Sequence, residues 1–378
     1  MNHLGADLSG RTLNFAGGFE YTFGALGNNV ALQATVMGLH ATVGGAVAVA
    51  GDFAFEKDST GMAVVGQGAS ASIGAGSFLV GVDHANFGMH IGTGGSVIEA
   101  RGSLHAQLGS LVSMTADTVA LRWNSTNLDA SNTTVHAGGL DYVYGAGLMA
   151  SLKEVALGGA SLNVGGFVQA SGNIAVRRSS GVQVKLGDGS SVTVDELTFG
   201  ASDMNVFVGA GAGTDDKLGL AMTDVDLALA VLAQQGAPLH NWTALTAAAG
   251  NAEFVGIDGF KLAASDLAVA FNRADVTSDA VVDFSATPVE VATGPSSHVS
   301  IDLDGTKGRL TQVAIGRATL AISDYVYISG SMVLEMAATT EVDVKTGLPA
   351  SYPATMPADL RTGLGLVKGI STDHSRID

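Results

Sequence analysis

Leu-Thr-Phe-Gly-Ala-Ser-Asp-Met-Asn-Val-Phe-Val, residues 197–208, is the stretch whose reading decides the fold. Leu197 and Phe199 alternate with polar neighbours, a small polar corner Gly200-Ala201-Ser202-Asp203 follows, and alternation resumes at Met204, Val206 and Val208. Period-two alternation puts the apolar side chains of an extended segment on one face. Glycine, Ser and Asp in the corner have the chemistry of a sharp turn, so the phrase predicts strand, turn, strand. It returns at 218–229, at 260–271 with the corner Ala263-Ala264-Ser265-Asp266, and at 80–91, 112–123, 155–164 and 313–322.

The starts at 155, 197, 218 and 260 are spaced by 42, 21 and 42 residues, with weaker copies at 135–144 and 176–184 in the gaps. This predicts an all-β, elongated repeat architecture. The reading is a β-solenoid or β-helix-like stack with rungs of about 21 residues, each covering the next. A long antiparallel meander or a sandwich obeys the same alternation and is the alternative. A longer repeat overlies the short one: 34–61, 155–181 and 313–340 align without gaps, matching Val43, Val164 and Ile322, then Gly51, Gly172 and Gly330. Residues 1–347 are therefore expected to form one elongated β-repeat domain, and 348–378, with three prolines, an irregular tail. Residues 226–235 also fit one short helix, and 273–295 reads as a polar insertion.

Composition narrows the function. Fifty-two glycines suit frequent turns, and no proline precedes Pro238, which agrees with long ladders. Eighteen basic against 35 acidic residues give a net charge of −17, so no basic stripe exists for nucleic acid. The absence of cysteine excludes disulfides and thiol chemistry. No apolar run reaches the ~18 residues of a transmembrane helix, and 1–11 lack a signal-peptide plan. Because the phrasing starts almost at once and runs on without a distinctive cap, the chain is expected to be a segment of a longer protein.

No catalytic signature is present. The Gly-x-Gly pairs do not extend to a dinucleotide or phosphate-binding loop, and there is no Gly-x-Ser-x-Gly elbow. His84 and His90 straddle one corner and lie off its apolar face, which fits surface residues. For calcium the candidates are Asp302 and Asp304, in an Asp-x-Asp-Gly sequence, and Asp215 with Asp216 after a Gly-rich loop. Both places read equally as ordinary turns. The recurrent corner acids Asp203, Asp224 and Asp266 would form a carboxylate ladder along one edge if rungs stacked in register. Turn capping explains them without a ligand.

The phrases Gly-Asp-Phe-Ala-Phe-Glu at 51–56, Val-Gly-Ile-Asp-Gly-Phe at 255–260 and Asp-Val-Asp-Leu-Ala-Leu-Ala at 224–230 resemble the β-strand repeat regions of giant bacterial secreted or cell-surface, adhesin-like proteins. The resemblance spans most of 30–345. It implies an extracellular or cell-surface location and a structural or adhesive role as stalk, fibre or surface layer, without catalysis. It also implies partners among neighbouring repeats of a longer chain, by self-association, or surface glycans. Two other functions are carried beside it. One is a carbohydrate-binding or carbohydrate-active β-helix module, for which Trp123 and Trp242 are the available aromatic platforms. The other is a hydrophobic-ligand carrier with an apolar groove.

Overall fold

The computed structural model describes residues 6–15, 19–24, 26–28, 30–43, 46–236, 240–276, 279–323 and 325–336. The tail expected at 348–378 lies outside them. Among the described residues all the regular structure is β apart from one 3-10 turn, Gly305–Lys307.

A hairpin of β1 (Thr12–Phe15) and β2 (Phe19–Thr22) comes first. Six long strands follow: β3 (Val30–Val43), β4 (Val47–Asp58), β5 (Gly61–Ala75), β6 (Phe78–Gly92), β7 (Gly95–Leu108) and β8 (Val112–Asn124). A short hairpin, β9 (Thr134–Ala137) and β10 (Leu140–Val143), separates these from six more. They are β11 (Lys153–Val164), β12 (Val168–Lys185), β13 (Ser191–Ala210), β14 (Leu218–Gln234), β15 (Asn241–Val255) and β16 (Phe260–Ala274). A third hairpin, β17 (Val289–Ala292) and β18 (His298–Ile301), precedes β19 (Leu310–Ile322) and β20 (Val326–Met336). The long strands form one 14-stranded sheet in chain order, antiparallel throughout and not closed, with β3 and β20 at its edges.

The architecture is thus the antiparallel meander, and the expected stack of parallel rungs is corrected. The 21-residue spacing is one strand plus its turn: the copies at 197 and 218 lie on the adjacent strands β13 and β14, which run in opposite directions. The copy proposed at 135–144 is the β9–β10 hairpin, outside the sheet. Residues 226–235 lie in β14 and its end and form no helix.

The corner is corrected too. It lies within a single strand, β13, as a β-bulge where Ala201 and Met204 shift register against β14. Asp203 takes φ 53°, and Asp224 and Asp266 take 53° and 54°. An extra residue in left-handed conformation absorbs one position of the pleat, so apolar side chains switch from odd to even numbers yet keep one face. Asp and Asn tolerate this conformation best among non-glycine residues. The same device recurs at Gly38, Gly68 and Gly159, with φ of 60°, 55° and 59°. At four of these residues the N–H, turned out of the ladder, donates to an Asx carbonyl or carboxylate on the next strand. Gly38 donates to Asp52 (2.6 Å), Gly68 to Asn86 (3.0 Å), Gly159 to Asn173 (3.0 Å) and Asp203 to Asp226 (3.0 Å). No buried donor is left without a partner at these points.

The pairs β3–β4, β11–β12 and β19–β20 share one register. Their turns close on Val43 with Val47, Val164 with Val168, and Ile322 with Val326. Their bulges fall between Val36 and Leu39, Leu157 and Ala160, and Ile315 and Ala318. Gly51 and Gly172 oppose these bulges with φ of 129° and 145°, and a Cβ on Gly51 would lie 2.6 Å from the Ala69 Cα. Close backbone approach and positive φ together require glycine there.

Two segments cover parts of one face of the sheet. The β9–β10 hairpin packs over β4, β5 and β6, burying Val65, Val135, Tyr142, Tyr144 and Leu148. The stretch 279–309 packs over β12 to β15 around Phe284, Val291, Ile301, Trp242 and Leu232. The second was expected to be a polar insertion, yet Phe284 within it is fully buried.

Candidate functional site

Residues directly opposite in a ladder share a face, so the registers define each face of the sheet. Val155, Val176, Phe199, Leu229, Leu245 and Phe271 are consecutive cross-strand partners. They continue through Leu121 and Ala100 in one direction and Thr311 in the other. On the other side of the bulge line the same face carries Met204, Val206, Val208, Leu220 and Val225. Among the described residues no insertion packs on this face: the sheet strands touch their lateral neighbours and the two segments on the opposite side. Val155, Val176, Leu197, Phe199 and Val208 remain 38–49% exposed.

Along the bulge line the same face is lined by small residues, including Ala69, Ala116, Ala160 and Ala201, which expose only 2–7%. No described residue outside the sheet packs on them, so their burial comes from the flanking side chains of the same face. A line of small residues thus runs between larger apolar side chains on either side of the bulge line, and it is called the trough below. Charge appears on it only at one rim. Lys153 and Arg178 are partners of Trp123 and Leu197 there, Arg273 lies in the same row beyond Thr243, and Lys57 sits at the end of β4. Asp195 pairs with Arg178 at 3.6 Å beyond that row.

The opposite face carries a buried row of alternating charge. Glu99, Arg122, Glu154 and Arg177 are successive cross-strand partners on β7, β8, β11 and β12. Arg122 donates to Glu99 (3.0 Å) and Glu154 (3.0 Å), and Arg177 to Glu154 (2.6 Å). Glu99, with no side-chain exposure, also accepts from Arg101 (2.9 Å), the Tyr142 hydroxyl (3.2 Å) and the Gly145 N–H (2.7 Å). Burial works to raise its pKa, but the Gly145 N–H, Arg101 and Arg122 outweigh that and hold it below the usual carboxylate value. Burial beside Glu99 pushes the Tyr142 hydroxyl well up. Burial likewise raises Glu196, against the charge of Arg177. The row locks the β9–β10 hairpin onto the sheet.

The acids singled out from sequence sit elsewhere. Asp304 caps the 3-10 turn, accepting from the Thr306 N–H (3.0 Å) and pairing with Lys307 (3.3 Å). Asp302 precedes it on the surface, and Asp215 and Asp216 are exposed in the turn between β13 and β14. None of the four belongs to a group of three converging ligand atoms. Asp203, Asp224 and Asp266 lie mid-strand along the bulge line, away from any sheet edge. Trp123 is on the trough face, whereas Trp242 is buried on the other with its indole N–H on the Ala280 carbonyl (2.9 Å). They form no shared sugar platform. Asn124 is buried, its amide donating to the Leu128 and Leu148 carbonyls.

The sequence reading found the apolar phrase but not the trough, because a phrase does not show that its face stays uncovered. It also passed over the charge row, whose members are scattered from 99 to 177 and meet only through register. No family model, no curated protein and no solved structure matches the chain.

Proposed function

We propose that the chain is a hydrophobic-ligand carrier whose trough holds the acyl chains of an anionic amphiphile, with headgroups at the rim bearing Lys153, Arg178 and Arg273. The observation that carries this is the continuous apolar face, uncharged between its rims and left uncovered by the described residues over 14 strands. Exposed apolar patches on soluble monomers rarely exceed a few hundred Å², and every 1,000 Å² left in water costs about 25 kcal/mol. Such a face is built to be covered. A thread-like ligand suits a line of small residues between larger apolar side chains better than a second flat sheet does. A net charge of −17 also opposes packing of two copies.

The test is extraction of the purified chain, with mass spectrometry of bound lipid, followed by titration with a fluorescent fatty acid. Saturable binding that weakens at least tenfold in Phe199→Glu and Leu229→Glu supports the carrier. An empty trough with no saturable binding overturns it.

A second reading, a structural or adhesive segment of a large extracellular bacterial protein, is favoured by a different observation. Each six-strand set, β3 to β8 and β11 to β16, follows a hairpin and opens with one register, and the β17–β18 hairpin followed by β19 and β20 begins the pattern again. Such a sheet grows by adding sets, as a stalk or fibre would, with neighbouring repeats as partners. Under this reading the trough is filled by protein and extracted samples carry no lipid.

A further inference from the structure

His240, Asp275 and Asp279 offer three ligand atoms that all lie within 4.8 Å of one another. Sequence gives no hint of them, since they span 39 positions and no spacing motif joins them. The fold brings them together: His240 leads into β15, Asp275 follows β16, and Asp279 opens the segment that covers strands β12 to β15 from Ala280 onward.

Their placement is held by the backbone. The Asp275 N–H donates to the Asn241 carbonyl (2.9 Å) and the Asp279 N–H to the Val276 carbonyl (3.1 Å). The Gln234 N–H donates to the His240 carbonyl (2.8 Å), and Trp242 anchors Ala280 beside Asp279. His240 Nδ1 lies 2.6 Å from Asp279 Oδ2, and Asp275 accepts from Asn241 (3.0 Å) and the Val276 N–H (2.9 Å). Among the described residues no Lys or Arg pairs with either carboxylate. Two acids thus face one imidazole, an excess of negative charge that a cation would balance. His240 and Asp279 also line a cleft of about 360 Å³, together with Leu186, Asp188, Gln234 and Trp242.

We propose that His240, Asp275 and Asp279 form a divalent transition-metal site that clips the covering segment to the sheet and leaves a coordination position open to the cleft. One imidazole nitrogen with two carboxylate oxygens is a donor set for zinc and its first-row neighbours. Calcium and magnesium prefer oxygen alone and a higher ligand count. The site is independent of the trough, which lies on the other face.

The experiment uses the full chain, stripped with EDTA, and zinc chloride as the probe. Calorimetry is expected to give one zinc per chain, with a melting temperature that rises on addition and falls back with EDTA. Cobalt substitution is expected to give a d–d spectrum of low coordination with mixed nitrogen and oxygen donors. His240→Ala and the exposed Asp275→Asn are each expected to weaken binding at least tenfold, while His136→Ala, altering an exposed His–Asp pair elsewhere, leaves it unchanged. If His240→Ala fails to fold, Asp275→Asn alone decides. No stoichiometric zinc binding, or binding unchanged in Asp275→Asn, overturns the proposal.

Discussion

At the scale of single residues, Asp203, Asp224 and Asp266 act through backbone conformation, each holding φ near 53° inside a long strand. Asn tolerates this conformation nearly as well, so Asp266→Asn is expected to shift the urea midpoint little, with or without calcium. Asp266→Val puts a β-branched residue there and should cost roughly 1–2 kcal/mol. Equal losses in the two variants would contradict the bulge account. The buried acids give opposite signs. The folded pKa of Glu99 is depressed, so its contribution is present above the unfolded carboxylate value and lost as pH falls through the folded one. Glu99→Ala strands Arg101 and Arg122 and is expected to cost about 3–5 kcal/mol at pH 7, less at acid pH. The folded pKa of Glu196 is raised, so its ionised form costs stability at neutral pH and the cost fades as pH drops. Glu196→Gln should therefore hold or raise the melting temperature at pH 7. Urea melts from pH 3.5 to 7.5 on the three proteins check both signs.

At the scale of elements, the two insertions carry the best packed cores. Phe284→Ala empties a fully buried aromatic site and should cost about 3–5 kcal/mol. If the segment opens as a local unit, hydrogen exchange in that variant will speed first at Trp242 and Val282, ahead of β5 and β6. Uniform acceleration across the sheet would contradict separate covers. This is also where the sequence was least legible. Its alternation announced the strands, and Leu197, Phe199, Met204 and Val206 even showed the switch from odd to even numbers. What the switch meant was not legible, because Gly200-Ala201-Ser202-Asp203 has the same composition whether it turns a chain or bulges a strand. Strand direction was hidden for a related reason: side-chain alternation is identical in parallel and antiparallel ladders. The stretch 273–295 looked polar because its buried residues, Phe284 and Val291 among them, have no period.

At the scale of the molecule, 14 strands leave thirteen spacings of ~4.8 Å, so the sheet is about 62 Å across. One side holds the two covers, with a hydrophobic core beneath each, and contains the charge row. The other is an apolar trough with cations along one rim. A 21-residue period was expected to stack rungs, each burying the last; the antiparallel meander instead lays the same phrases side by side and leaves one shared face open. The most direct test of that arrangement uses the absence of native cysteine. Single cysteines from Leu197 to Val208 would be labelled with a fluorophore and exposed to a fatty acid carrying a nitroxide quencher. The account predicts strong quenching at 197, 199 and 201, then at 204, 206 and 208, with weak quenching at 198, 200, 205 and 207. Quenching with no alternation, or alternation that keeps odd numbers through Asp203, would contradict it.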